Sequence, residues 1–249
     1  MIKKITCYVF TLIFSIPTLF AFGGISHKLL TKSAIVNTKL LEKFPESLEK
    51  NLLESCNYPD ETWSSFFVLQ KPHFVNPFDG FKSLEEQDMY NGEHSNAFLS
   101  MIDEYNNALS LWRSFKQVES IKRLGRAIHY LQDMCCIAHE MCWCDNIKYF
   151  LEIDKKLFGG RHVSYENEVD KYIKKNFNTL ITEYKNYNFR QNKYIDNTAF
   201  SNSMFVKEKF DEKYKSNRYK EIELEEIGAA HKATCELIYL FFKEVGIEL

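Results

Sequence analysis

The segment LGRAIHYLQDMCCIAH, Leu124 to His139, combines an apolar helical face with three side chains that can bind a metal ion. His129 and Asp133 are four positions apart, so on a helix they stand on one face about one turn apart and can reach a common ion. Such a pair also forms plain surface hydrogen bonds, so the pair alone does not establish a metal site. His139 follows His129 by ten positions, a rotation of roughly 80° on a straight helix, and is expected to face a neighbouring ion unless the helix bends.

A second histidine and acid pair with the same spacing lies further along the chain. His162 and Glu166, in RHVSYENEVD, are four apart on a predicted helix. Upstream, Asp60 and His73 lie in a proline-rich stretch, and His27 follows the N-terminal apolar segment by a few residues. The repetition of the pair makes a metal site harder to dismiss than either pair alone.

Composition favours a helical globular protein. The chain has 249 residues, 45% apolar and 27% charged, with only nine glycines and five prolines, which suits one mostly helical domain. The formal charge of −2 argues against a nucleic-acid surface built on general basicity.

Helical periodicity recurs along the chain, and no strand-like alternation competes over comparable lengths. The predicted helices are Lys28–Leu41, Ser95–Phe115, Val118–Met134, Tyr165–Tyr187, Met204–Tyr214 and Glu221–Val245, with a short one at Pro45–Glu54. Residues 57–80, which contain three prolines, are predicted to form an irregular, aromatic-rich loop that carries part of a site. The fold class predicted is all-α, a multi-helix bundle.

The N-terminus has the organisation of a signal peptide. Lys3 and Lys4 precede an apolar run from Ile5 to Phe20, and Ala21 offers a small residue for cleavage. We expect residues 1–21 to be a signal peptide and residues 22–249 to form a single domain that is secreted or periplasmic. An uncleaved membrane anchor is the alternative, although the run is shorter than the roughly 20 residues that a bilayer needs.

Cleavage would remove Cys7 and leave an even number of cysteines, which permits disulfides in an oxidising compartment without choosing among their pairings. They are Cys56, Cys135, Cys136, Cys142, Cys144 and Cys235. Cys142 and Cys144 could form disulfides, bind metal or pack.

The residues described so far resemble the bacterial zinc-dependent phospholipase C family. The resemblance rests on His129, Asp133 and His139, on His162 and Glu166 within HVSYENEVDKYIKKNF, and on PHFVNPFDG before them. It extends to the terminal helix containing ATCELIYLFF. It implies an all-helical fold that holds three zinc ions in a cleft.

The resemblance also implies which residues hold each of the three Zn²⁺ ions. They are Asp60, His73, His129 and Asp133 for the first, His139, His162 and Glu166 for the second, and His27, a bridging Asp133 and the main-chain amine and carbonyl of Phe22 for the third. Phe22 would be the mature N-terminus, where relatives carry Trp. Asp60 is expected to assist as general base beside the attacking water.

These assignments predict a secreted hydrolase that cleaves the glycerol-side phosphodiester bond of phospholipids at a membrane or micelle surface. Three Zn²⁺ and three carboxylates leave a surplus of about +3 for the anionic substrate. No nucleic acid and no obligate protein partner are implied. The alternatives are a zinc-dependent single-strand nuclease, or a non-catalytic zinc-binding protein. His94 and His231 match no motif position and are predicted to be surface or helix-packing histidines.

Overall fold

A computed structural model describes residues 24–61, 97–136, 162–191 and 219–249. Within these ranges the secondary structure is helical, as the sequence predicts. The α-helices are α1 Gly24–Asn37, α2 Glu46–Ser55, α3 Tyr58–Glu61, α4 Ala97–Arg113, α5 Gln117–Asp133, α6 His162–Tyr184 and α7 Tyr219–Glu244, with 3₁₀ helices at Leu40–Glu42 and Phe189–Gln191. The all-α prediction is confirmed.

Several helix boundaries differ from the predictions. Helix α1 begins at Gly24, four residues before the predicted start, because the Asp170 carboxylate accepts a hydrogen bond from the Ser26 amide in its first turn. It ends at Asn37, because Lys39 adopts a left-handed conformation with φ 57° and only a 3₁₀ turn follows.

Two further differences concern the metal-binding motifs. The predicted irregular loop begins instead with the short helix α3, where Pro59 occupies an early helical position that needs no amide hydrogen bond. Helix α5 ends at Asp133, since the Met134 and Cys135 amides bond back to Tyr130 and Gln132 in a closing turn. The rotation that a straight helix would impose on His139 therefore does not apply.

The core forms around α5, whose apolar side chains recur at helical spacing. Leu124, Ile128 and Leu131 are fully buried, and each contributes roughly 1.5–3 kcal/mol by leaving water. Helices α4 and α5 form an antiparallel hairpin, and α1, α2 and α7 also pack against α5. This arrangement places the last turn of α5 beside the first turn of α1.

Helix α2 approaches α5 at a glycine. A Cβ atom added to Gly125 would overlap Ser55 Oγ and would lie 2.9 Å from the Leu52 carbonyl oxygen. Only a residue without a side chain permits this contact. The close approach brings the C-terminal end of α2 to the turn of α5 that carries His129.

Some predictions fall outside the described residues. These are the signal peptide 1–21, residue 22, the predicted helix Met204–Tyr214 and the cysteines Cys142 and Cys144. Among the described helices, none combines the length and the apolarity that a membrane crossing requires.

Candidate metal centre

Three of the predicted ligands meet in the interior of the bundle. His27 lies in the first turn of α1, while His129 and Asp133 lie in the last turns of α5. All three side chains are buried with 0% exposure. One ligand atom from each lies within 4.8 Å of the other two, so the group can hold a cation.

The Asp133 carboxylate faces one histidine with each of its oxygens. Oδ1 lies 3.4 Å from His27 Nε2, and Oδ2 lies 3.2 Å from His129 Nε2. The centroids of the two imidazole rings are 4.0 Å apart, and the ring planes are inclined by 30°. The spacing of four places His129 next to Asp133 on α5, and the packing of α1 against α5 brings His27 to the other carboxylate oxygen.

A backbone carbonyl orients His129. Its Nδ1 lies 2.8 Å from the Cys56 carbonyl oxygen, at the C-terminal end of α2. A carbonyl can only accept, so Nδ1 carries the hydrogen and donates it. In the neutral imidazole, Nε2 then presents its lone pair towards Asp133.

A side-chain amide orients His27. Nδ1 of His27 lies 2.7 Å from Gln132 Oε1, while Gln132 Nε2 lies 3.2 Å from Thr31 Oγ1 and 3.1 Å from Thr234 Oγ1. Sequence reasoning did not identify Gln132, Thr31 or Thr234 as part of the site. A usable signal was present: Gln132 is a polar residue beside Asp133 on a helix whose neighbouring positions are apolar.

The position of His27 also depends on α6. Both the amide and the hydroxyl of Ser26 donate to Asp170 Oδ1, so a carboxylate from α6 caps the first turn of α1. His162, Glu166 and Asp170 follow one another at intervals of four on α6 and so lie along one side of that helix. The backbone thus brings the second predicted pair near the first turn of α1.

The donor set fits zinc. Zinc in proteins takes imidazole nitrogen and carboxylate oxygen, and bound histidines donate their other ring nitrogen to an oxygen acceptor. Both histidines here have such an acceptor, and both direct Nε2 at the same carboxylate. A cation between them would be neutralised in part by Asp133, in a place where water does not reach.

The remaining predicted ligands are described in part or not at all. Asp60 lies in α3, and His162 and Glu166 lie in the first turns of α6, but the described residues do not include their side chains. Phe22, His73 and His139 lie outside the described residues. The structure therefore brings three of the nine residues together and places the backbone of three more.

His231 packs between helices, as the sequence predicts. It is buried in α7, its ring stacks on Tyr184 with centroids 4.9 Å apart, and its Nε2 lies 2.9 Å from Asn37 Nδ2. Burial, and then the nearby Lys232 charge, lower its pKa to about 3. Cys235, one turn further on, is a free buried thiol whose pKa is raised by burial and by Glu236. Among the described residues, no carboxylate oxygen is grouped with His231 and Cys235 in the way that Asp133 is grouped with His27 and His129.

Comparison with known proteins gives a family match and two similar folds. Residues 26–236 match the family model of zinc dependent phospholipase C. The fold is similar to the alpha toxin of Clostridium absonum, with a TM-score of 0.62 and 18% identity over 89% of this chain and 64% of that one. It is also similar to Clostridium perfringens alpha-toxin from an avian strain, with a TM-score of 0.58 and 14% identity over 88% of this chain and 63% of that one. This chain thus spans less than two thirds of either solved chain. No curated protein matches it in sequence.

Proposed function

The chain belongs to the zinc dependent phospholipase C family, and from that premise we propose that it hydrolyses phospholipids. The reaction is cleavage of the glycerol-side phosphodiester bond, which yields diacylglycerol and a phosphorylated headgroup. The observation that carries the proposal is the Asp133 carboxylate, which turns one oxygen to His27 and the other to His129 in the dry interior. A carboxylate placed in this way can bridge two metal ions, as a phosphodiester hydrolase with several metals requires.

The residues of the chain would hold the metal and orient the substrate, and bound zinc would act as a Lewis acid. Bound zinc supplies Lewis-acid polarisation of the phosphoryl oxygens and a water of lowered pKa. His27 and His129 hold their ring nitrogens in place through Gln132 and the Cys56 carbonyl, so little reorganisation is needed when charge develops. Asp133 offsets part of the positive charge and leaves a surplus for the anionic substrate.

Asp60 is the proposed general base, which would accept a proton at its carboxylate from the attacking water. Its helix α3 follows directly after Cys56 and Asn57, and Cys56 contacts His129. Arg126 of α5 stacks on the Tyr58 ring at 4.3 Å, and its Nη1 lies 3.6 Å from Glu104 Oε1 of α4. These contacts hold the helix that carries Asp60 against the helix that carries His129.

We propose three zinc ions per chain, with Asp133 shared by the first and the third. The second ion would be bound by His139, His162 and Glu166, and the position of α6 against α1 supports this assignment. The single group His27, His129 and Asp133 could instead hold one ion. The zinc content of the purified protein decides between one ion and three.

The third ion would also use the free amine and the carbonyl of Phe22 after signal cleavage and export. Helix α1 begins at Gly24 and carries His27 in its first turn, so Phe22 precedes the helix by two positions. Protein that starts at Phe22 should bind more zinc and turn over faster than protein with one extra N-terminal residue, because a peptide nitrogen is a poor ligand. Equal zinc content and equal rates would discard the N-terminal ligand.

A single-strand nuclease with the same type of metal cleft is the competing function. Paired assays of the purified protein, on phosphatidylcholine in vesicles and micelles and on single-stranded DNA, separate the two. We expect diacylglycerol release that is abolished by a chelator and restored by zinc. Cleavage of DNA alone would replace the proposal with the nuclease, and zinc binding without hydrolysis of either substrate would indicate a non-catalytic zinc protein.

A further inference from the structure

We infer that Gln132 is a positioning residue that fixes the tautomer of His27 and so tunes metal binding at the site. The inference rests on the proposed function, because it gives His27 a metal to bind. Gln132 lies between His129 and Asp133 on α5, and its side chain is fully buried. It is not itself a predicted ligand, since its amide reaches the histidine from the side opposite Asp133.

The orientation of the Gln132 amide follows from its neighbours. Thr234 Oγ1 donates its hydrogen to the Ala230 carbonyl at 2.7 Å, so towards Gln132 it can only accept. The atom facing Thr234 at 3.1 Å must therefore be the amide nitrogen, and the same nitrogen reaches Thr31 Oγ1 at 3.2 Å. The amide oxygen is then left to face His27, at 2.7 Å from Nδ1.

An oxygen acceptor at Nδ1 determines which nitrogen of His27 carries the hydrogen. Nδ1 donates to Gln132, and Nε2 of the neutral ring presents a lone pair towards Asp133 Oδ1, 3.4 Å away. Metal ligation through Nε2 needs this tautomer. Without the acceptor, the hydrogen would move to Nε2, where Asp133 would accept it, and the ring would be a poor ligand until it rearranged.

The hydrogen bonds of Gln132 join three helices. His27 and Thr31 belong to α1, Gln132 to α5 and Thr234 to α7. The Gln132 amide therefore makes all its hydrogen bonds only when these three helices are packed together. The amide is uncharged, so it orients the ring at any pH and adds no negative charge beside Asp133. His129 obtains the same tautomer from a backbone carbonyl, which substitution cannot remove. The effect of an acceptor on the tautomer of a histidine can therefore be tested by mutation at Gln132.

The test compares two substitutions at Gln132 with a control elsewhere. Gln132→Met keeps the length of the side chain but removes the acceptor, whereas Gln132→Glu retains an oxygen acceptor for Nδ1. Asn37→Leu removes the equivalent amide contact from His231, a buried histidine outside the metal centre. All three variants lose part of a buried amide network, so a merely structural role would predict similar effects on zinc.

Two measurements are made, neither of which depends on catalysis. Imidazole ¹⁵N chemical shifts in the metal-free protein report the tautomer of His27, and competition with a chelator reports zinc affinity. We expect Gln132→Met to move His27 to the Nε2-protonated tautomer. The affinity for the zinc ion bound by His27 should fall by about 10-fold to 100-fold. Gln132→Glu should keep the Nδ1-protonated tautomer of His27 and most of the zinc affinity. Asn37→Leu should change neither of them. Unfolding followed by circular dichroism identifies the variants that fold.

The outcomes separate this inference from the proposed function. If the wild-type protein bound zinc and Gln132→Met retained both the Nδ1-protonated His27 and full affinity, the positioning role would be wrong and the hydrolase proposal would stand. If the wild-type protein bound no zinc, the proposed function would fail, while the ¹⁵N shifts would still confirm or refute the tautomer. A Gln132→Met protein that does not fold leaves the decision to Gln132→Glu, for which a changed tautomer overturns the inference.

Discussion

The described residues include two buried histidine clusters, for which we propose different functions. His27 and His231 are each fully enclosed, and each contacts the amide of a side chain on another helix, Gln132 and Asn37 respectively. In the first cluster the amide oxygen meets Nδ1, and in the second the amide nitrogen meets Nε2. The difference lies in which end of the amide faces the ring.

That difference decides what the histidine can bind. Gln132 accepts from His27 and leaves Nε2 directed at a carboxylate, whereas Asn37 donates to His231 and occupies the Nε2 lone pair. One face of the His231 ring stacks on Tyr184. We therefore propose that His27 is a metal ligand because of its acceptor and its carboxylate, whereas burial alone makes His231 a packing residue.

The largest effect is expected when the carboxylate that distinguishes the two clusters is removed. Asp133→Asn keeps the size of the side chain but removes a charge shared between two proposed ions, so it should lose more zinc than Glu166→Gln, which touches one. We expect at least a 100-fold fall in phosphatidylcholine hydrolysis, with zinc content measured on the same samples. Full metal content and full activity in Asp133→Asn would show that the bridging assignment is wrong.

Matched substitutions of the two histidines test the comparison directly. His27→Gln should lose one zinc and most of the hydrolysis, because it removes a ligand at the metal centre. His231→Gln removes a ring of equal burial and should leave zinc content unchanged, since its contacts are to Asn37 and Tyr184. Elemental analysis of the two proteins is sufficient, and equal losses of zinc would contradict the distinction between the clusters.

A substitution at the helix contact beneath His129 should act first on stability. Gly125→Ala inserts a methyl group against Ser55 and Leu52 of α2, which we expect to lower the free energy of unfolding by about 1–3 kcal/mol in urea titrations. Adding Ser55→Ala removes the closest overlap, so the double variant should recover part of the loss. No recovery would mean that the close approach is not the cause.

The prediction with the smallest effect on the proposed metal centre concerns the pH dependence of the second cluster. The pKa of His231 is lowered to about 3 in the folded protein, so in acid the unfolded chain binds a proton that the folded one does not. The contribution is intact above the unfolded value near 6.5 and is lost as pH falls towards 3. As the pH falls below 6.5, the free energy of unfolding should decrease more steeply for wild type than for His231→Gln. Parallel curves of unfolding free energy against pH would refute the shift.

How far the sequence predicts the site depends on whether each contact is local. The spacing of four predicts that His129 and Asp133 share one face of a helix, and in the structure the two side chains are adjacent on α5. His27 entered through family resemblance, because no local pattern connects α1 to α5. The orientation of Gln132 depends on Thr31 and Thr234, which lie about 100 positions away in the two directions. Such contacts leave no periodic signal.

Helix ends show the same limit. Helix α5 ends at Asp133 with no glycine or proline, through a turn closed by backbone bonds that a pattern of side chains does not encode. Helix α1 begins at Gly24 because of Asp170, a carboxylate on another helix. The existence of α5 and of its apolar face, by contrast, was predicted, since apolar periodicity is a local signal in the sequence.

The Asp170 cap on α1 has a consequence for the order of folding. The hydrogen bond between Ser26 and Asp170 joins residues 144 positions apart, whereas the α4 and α5 hairpin forms between chain neighbours. Closing a loop of that length costs about 4 kcal/mol of chain entropy, so the cap is expected to form after the hairpin has packed. His27 is the residue next to the cap and reaches its place only at that late step. During synthesis the chain would then carry α5 with its His129 and Asp133 already arranged, and the proposed metal centre would be complete only when α6 packs against α1.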